Sequence, residues 1–395
     1  MSSEQEWLEA DGLGGFASGP VSAPRSRRYH ALLMRAVGSP AHRFVLVNGM
    51  DVHVRTPDGS FALSSQRYQP GVVAPDGSTR LESFGRAPWP TWTFRLPCGR
   101  AVRQELCVPH GRAASVLLWT IEGDPTGCAL TVRPFLSGRD PHALQHENSA
   151  FRFASETSNR ALIWRPYDGV PAIAISATGA YTHAPTWYRH FLYEAERERG
   201  LDDTEDLASP GTFALDFVAG EAVLIFTSPE DEDGRVAFGA ERPRELATHW
   251  RTAELKRREA LGSALHRAAD AYIVRRGTGR TIVAGYPWFT DWGRDTFIAL
   301  RGLCLATGRL DDARAILLEW AGLVSEGMLP NFFPDGGATP EYNSVDASLW
   351  YVVAVSDYLA ACKAARRRLI KNERERLHAA VDAILTGYAR GTRFG

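Results

Sequence analysis

The sequence predicts a multi-domain chain that is β first and α afterwards, a large antiparallel sandwich followed by paired helices. Three observations carry that reading. Up to about Pro243 the text consists of short runs rich in Val, Ile, Phe, Thr and Tyr, punctuated by Gly, Pro and Asp, as half-buried strands and tight turns require. From Arg244 apolar residues recur every three or four positions, the period of a helix with one buried face. A chain of 395 residues that is 44% hydrophobic can also fill more than one core. The domains that follow are 1–243 for the sandwich, 244–262 for a linker helix and 263–395 for the first part of a helical domain.

Taken in order, strands are expected at 44–54, 92–96, 114–121 and 213–227, while 75–80 and 202–211 read as turns or long loops. Gly12-Leu-Gly-Gly-Phe-Ala17 formally matches a dinucleotide-binding fingerprint, but no strand precedes it and no helical period follows, so a turn is expected. His142 and His146 stand four apart with Glu147 next, a spacing that could bind zinc on a helix; Pro141 and the polar context favour a hydrogen-bonding loop and no metal. Helices are expected at 246–261, 264–273, 294–307 closed by Gly308, 311–325 closed by Gly327, 346–366, and 372–389 with Asn372 as N-cap. Such lengths suit antiparallel helix pairs. The basic run 366–371 reads as a solvated helix end.

Forty-five basic residues against 46 acidic ones give no reason to expect a nucleic-acid or membrane-surface partner. The start, MSSEQEW, has neither the positive flank nor the apolar run of a secretory signal, and no stretch reads as the ~18 apolar residues of a membrane span, so a cytoplasmic location is expected. Cys98, Cys107, Cys128, Cys304 and Cys362 are scattered and odd in number, as reduced, buried thiols are. Nothing in the text calls for a cofactor, and nothing in it indicates an oligomeric state.

Two loops, 277–291 and 328–345, concentrate the chemistry. Tyr286-Pro-Trp-Phe-Thr-Asp-Trp-Gly-Arg-Asp-Thr-Phe297 sets aromatics beside Arg294 and Asp295. A sugar offers apolar C–H faces and a rim of hydroxyls, which flat rings and planar donors and acceptors match. A buried Arg–Asp pair capping a helix, with the aromatics as core, explains the same letters. The second loop holds Asp335 and Glu341 and meets a helix at Asp346. Glycoside hydrolysis uses one carboxyl to protonate the leaving oxygen and a second to activate water or attack carbon. Asp346 equally suits an ordinary N-cap.

At these residues the chain resembles the glycogen debranching enzyme family, of the bacterial and archaeal amylo-α-1,6-glucosidase type (glycoside hydrolase family 133). The resemblance rests on WLEADGLGGFASG at 7–19, SRRYHALL at 26–33, and the stretches 187–211, 286–297 and 340–350, in order along nearly the whole chain. It implies a β-supersandwich followed by an (α/α)6 toroid, as in other six-hairpin glycosidases such as glucoamylases. It further implies inverting removal of α-1,6-linked glucose from glycogen or limit dextrin, in glycogen catabolism. Trp292, Arg294 and Asp295 match a Trp-x-Arg-Asp run that holds the terminal glucose. Asp346 matches the general acid, in an apolar setting supplied by residues such as Trp350, while Glu341, Tyr342 and Asn343 would line the pocket and Tyr286 or Trp288 would stack on the sugar. His30, His142 and the pair Trp187 and Tyr188 are looser candidates for its rim. The second carboxylate lies in later helices of the family's toroid, so the toroid is expected to be incomplete at Gly395 and the chain alone to be nearly inactive. An amylase-like transferase barrel is not expected. A glucoamylase or trehalase specificity, or a non-catalytic glucan-binding fragment, are the alternatives.

Overall fold

The computed structural model describes residues 5–22, 24–228, 241–332 and 340–394, and Asp335 lies outside them. The chain divides into two compact units: Met1–Asp11, Gly15–Arg35 and Arg43–Ala260 form the first, and Gly12–Gly14, Ala36–His42 and Leu261–Gly395 the second.

The first unit is built from a ten-stranded and an eight-stranded sheet. Four neighbouring strands form the middle of the larger sheet: Ser39–Thr56, Ala129–Arg139, Thr204–Asp216 and Gly179–Leu192. The smaller sheet centres on Glu221–Thr227, Ala114–Ile121 and Ala101–Cys107, and these pairings are antiparallel. Ala114–Ile121 is apolar almost throughout because both of its faces are buried. Leu117 and Trp119 point into the core shared with Val47, Leu130 and Leu215 of the larger sheet. Val116 and Leu118 point the other way, opposite Ile225 and Val223, and meet Leu246 and Ala247. Those last two belong to α2 (Pro243–Ala260), the longer of the unit's two α-helices among the described residues, the other being α1 (Glu194–Glu198). The stretch read as a linker helix, 244–262, thus lays Leu246 and Ala247 on the outer face of the smaller sheet.

One expectation fails clearly. Residues 202–211 are not a loop but the first half of the strand Thr204–Asp216, in the interior of the larger sheet. Its polar residues are buried because they have partners. Glu205, fully buried, receives Arg139 Nη2 at 3.1 Å and the Gln145 amide at 3.1 Å, along with Arg139 Nε and the Tyr193 hydroxyl. Asp206 accepts the His190 amide at 2.9 Å and that of Glu147 at 3.1 Å. Pro210, which cannot donate to a ladder, sits where the register shifts against both neighbouring strands, a bulge that tolerates it.

Gly12 and Gly14, at φ 74° and 102°, lie in the turn between the antiparallel strands Glu6–Ala10 and Phe16–Pro20, and no helix follows them. Residues 142–147 are irregular, and the Tyr29 hydroxyl lies 3.0 Å from His142 Nδ1.

The second unit begins with α3 (Ala264–Tyr272), whose N-cap Ser263 accepts the His266 amide at 3.3 Å. The hairpin of Ile273–Arg276 with Gly279–Ile282 follows. Next come α4 (Gly293–Leu300), extended by a π-turn at Arg301–Leu305, then α5 (Leu310–Ala321), α6 (Val345–Ala364) and α7 (Lys371–Arg390). Buried Leu310, Ala313, Ile316, Leu317 and Trp320 recur on α5 at the helical period. With Phe297, Tyr351 and Ile384 they form the unit's core. The Phe297 ring is edge-on to Trp320 at 5.1 Å and to Tyr351 at 5.2 Å.

Side-chain pairs give the helix directions. Arg294 reaches Asp346 at the starts of α4 and α6, and Arg301 reaches Asp357 further along both, so these two helices run parallel. Arg314 with Glu373 and Arg376 with the Leu318 carbonyl make α5 parallel to α7. Arg367, just past α6, pairs with Asp311 at the start of α5, so the two sets run opposite ways.

Two further expectations are corrected here. Asn372 is not the cap of α7; Ile370 holds that place without a side-chain bond, and the helix begins at Lys371. One helix among the described residues, α6, is long and apolar enough by composition to cross a membrane, although no such stretch was expected. Its buried Tyr351, Val355, Tyr358 and Cys362 belong to the helical core, which accounts for the apolar composition.

Candidate active site

Backbone hydrogen bonds bring the two chemistry-rich loops together. Asp291, fully buried, takes Arg276 Nη1 at 2.7 Å and anchors the end of the first loop to the hairpin. Trp292 then forms an isolated antiparallel bridge with Phe332, and the two rings lie 5.4 Å apart. The Gly293 amide donates to the Asn331 carbonyl and the Asn331 amide to the Glu341 carbonyl, both at 2.8 Å. Glycine lets the backbone approach closely at position 293, where a Cβ would lie 3.2 Å from the Pro330 carbonyl oxygen and 3.3 Å from the Trp320 ring. The runs around Trp292, Asn331 and Glu341 are thus stitched side by side at the starts of α4 and α6.

On that surface Arg294 Nη1 stands 3.5 Å from Asp346 Oδ2, with both side chains about half exposed. A tight Arg–carboxylate pair sits at about 2.7–2.9 Å, so neither group is locked to the other and both can address a ligand. The Ser344 hydroxyl donates to Asp346 Oδ1 at 3.0 Å. These neighbours are polar, whereas the sequence suggested an apolar setting; Trp350 packs against the helical core instead. Asp346 is not an N-cap either. Ser344 holds the cap position of α6, and Asp346 lies in the first turn, where a carboxylate meets the positive end of the helix dipole. Asp295 occupies the equivalent turn of α4, half-buried.

The remaining candidates divide. Glu341 and Asn343 are exposed and joined to each other, Asn343 Nδ2 donating to Glu341 Oε2 at 3.0 Å. Tyr342 is held elsewhere: its hydroxyl donates to the Leu323 carbonyl at 3.1 Å and the Arg393 guanidinium lies 4.4 Å above its ring. Tyr286 packs 5.8 Å from Tyr272, and Trp288 is half-buried in the first loop. Three contributors were not foreseen: Phe332 beneath Trp292, Asn331 as the backbone link, and Ser344 on Asp346. Asn331 and Phe332 lie within the second loop, but only their pairing across the chain reveals the role. His30, Trp187 and Tyr188 belong to the first unit.

Residues 5–224 match the family model described as glycogen debranching enzyme N terminal, and residues 267–395 match that described as amylo-alpha-1,6-glucosidase. The chain belongs to the glycogen debranching enzyme family. Among known relatives, the glycogen debranching enzyme of Saccharomyces cerevisiae is 43% identical over 84 residues, 20% of this debranching-family chain and 5% of the yeast protein. Among solved structures, a bacterial glucoamylase complexed with acarbose aligns with 91% of this chain and 56% of its own, at 10% identity and a TM-score of 0.48. The chain therefore covers a small part of the yeast relative and about half of the glucoamylase.

Proposed function

We propose that the chain carries the glucose-gripping and proton-donating side of a glycoside hydrolase that removes α-1,6-linked glucose from the branch points of glycogen or limit dextrin. Asp346 is the general acid that protonates the glycosidic oxygen. Arg294 and Asp295 hold hydroxyls of the terminal glucose, with Trp292 against its apolar face and Glu341 and Asn343 at the rim. In the inverting mechanism a second carboxylate, about 6.5–9.5 Å away, activates water on the opposite face of the ring. The observation that carries the reading is the 3.5 Å approach of Arg294 to Asp346 at the starts of two parallel helices, in a chain matched by both family models.

The fold proposed is a β-supersandwich followed by an (α/α)6 toroid. Its support is the pairing of α4 with α6 in one direction and of α5 with α7 in the other, as successive helical hairpins of a closed ring alternate.

The test is glucose release from panose, maltose and trehalose by protein expressed from the whole reading frame. Preference for panose is expected. Preference for maltose or trehalose removes the α-1,6 assignment, and retention on a glucan gel without any glucose release reduces the role to binding.

A further inference from the structure

The interior of the first unit holds a cleft of about 120 Å³ between the two sheets, roughly the room of ten water molecules. One wall is aromatic: Trp7 and Trp92, edge-on to each other at 5.4 Å, together with Phe94. The polar part of the lining includes Asn48, Gln66 and Arg25, the last 9% exposed.

Arg25 has been given space. Gly49 lies beside the guanidinium, and a Cβ at that position would come within 3.1 Å of Arg25 Nε. The flat face of the guanidinium is covered by the rings of Phe191 and Tyr193, centred 5.2 and 5.8 Å away. Its edge is not satisfied. Nη2 donates to Gln66 Oε1 at 3.3 Å, while Nε and Nη1 are buried without a hydrogen-bond partner. Asn48, also on the lining, donates through Nδ2 to Glu205 at 3.4 Å and leaves Oδ1 buried and without a partner. Buried groups left like this cost about 1–3 kcal/mol each unless a ligand or water completes them.

The unmet groups define what completes them. Arg25 asks for an acceptor and Asn48 Oδ1 asks for a donor. A carboxylate or phosphate dianion supplies only acceptors, whereas a hydroxyl supplies both. Gln66 Nε2 also donates to Asp51 Oδ1 at 3.2 Å, so a carboxylate already lies one residue from the guanidinium and a second negative charge is not required. Aromatic side chains and planar donors on one lining suit a ring with C–H faces and a hydroxylated rim.

We propose that this cleft binds one neutral polyhydroxylated ring, of the size of a single hexose, with its hydroxyls on Arg25 and Asn48 and its apolar face on Trp7, Trp92 and Phe94. The site lies wholly within the sheet unit and does not depend on the reaction proposed for the helical unit.

The probe is glucose, titrated against tryptophan fluorescence and melting temperature, with inorganic phosphate as the second arm. The whole protein carries Asp295→Ala, which silences the glucose site proposed in the helical unit. A saturable glucose response is expected, weakened about tenfold or more by Arg25→Lys, which keeps the charge but loses the fork. Ser78→Phe, half-exposed on the lining of the cleft, is expected to do the same while leaving the contacts of Arg25, Gln66 and Asn48 in place, the one hydrogen bond it removes being that from the Ser65 hydroxyl at 3.1 Å. It carries the test if Arg25→Lys does not fold. Absence of saturation with glucose, a response unchanged in these variants, or saturation with phosphate in place of glucose each overturns the proposal.

Discussion

Asp346 combines partial exposure, one loosely held arginine and a serine hydroxyl, a setting in which the side chain can be replaced without disturbing the core. Asp346→Asn in the whole protein should therefore lower kcat for panose by about 10²–10⁴-fold, with the melting temperature nearly unchanged; surviving activity would return Asp346 to a purely structural role. His30 is the opposite case. It is buried, its Nδ1 accepts the amides of Ser26 and Arg27 at 3.2 Å, and its Nε2 lies 3.4 Å from Glu6 Oε1. Burial holds the imidazole below its ordinary 6.5, while the His30 hydrogen bond, assisted by Arg27, brings Glu6 from 4.5 down to about 2 against the opposing effect of burial. Both folded values are depressed, so both contributions are present above the unfolded values and are lost on acidification. The His30 part fades as pH falls below 6.5 and the Glu6 part between 4.5 and about 2. Thermal melts across that range should show the loss, and His30→Gln should flatten its upper part. A melting temperature independent of pH below 6.5 would contradict this assignment.

At the scale of elements, the parallel pairing of α4 and α6 raises the question of whether Arg294–Asp346 is merely one rung of a surface ladder. Arg301–Asp357, at 2.6 Å, is a second rung of comparable exposure between the same helices. Exposed pairs of this kind contribute about 0–1 kcal/mol. A structural ladder predicts similar small effects from removing either arginine. The site reading predicts that Arg294→Ala weakens glucan binding about 10–100-fold, as the loss of charged hydrogen bonds does, while Arg301→Ala leaves binding within about twofold. Glucan affinity electrophoresis of the two variants separates the readings. The first turns of α4 and α6 suit a hydroxyl-rich ligand because their carboxylates, Asp295 and Asp346, are already held by the helix ends.

On the scale of the molecule, the two units have separate cores. Trp119, Val132 and Leu215 belong to the core of the sheets, and Phe297, Leu317 and Tyr351 to that of the helices. Each core can therefore melt as its own cooperative block. Leu317→Ala removes a fully buried side chain from the helical core and should destabilise that unit by about 2–5 kcal/mol. In calorimetry the helical transition should move down while the transition of the sheet unit stays in place. A single transition shifting as a whole would show that the units unfold together. The buried network around Glu205 and Arg139 gives the sheet unit a polar interior that no hydropathy pattern records.

The sequence alone determined the order β then α, the helices from α2 to α7 to within a few residues, and the family, because helical period and motif spacing are local properties. It also singled out Trp292, Arg294, Asp295 and Asp346, which stand where the two loops lead into α4 and α6. Local patterning failed where partners distant in sequence set the outcome. Thr204–Asp216 is a strand because Arg139, Tyr193 and Gln145 satisfy its buried Glu205, the His190 and Glu147 amides satisfy Asp206, and a bulge accommodates Pro210. Asp346 lies inside α6 because Ser344 holds the cap position. Tyr342 is turned to Leu323 and Arg393 rather than to its neighbours in the motif. Arg25 and Asn48 stood in no motif, and only folding brings them to the lining of one cleft with unmet hydrogen bonds. Whether a polar group can be buried depends on the groups folding brings beside it, and that information exists only in three dimensions.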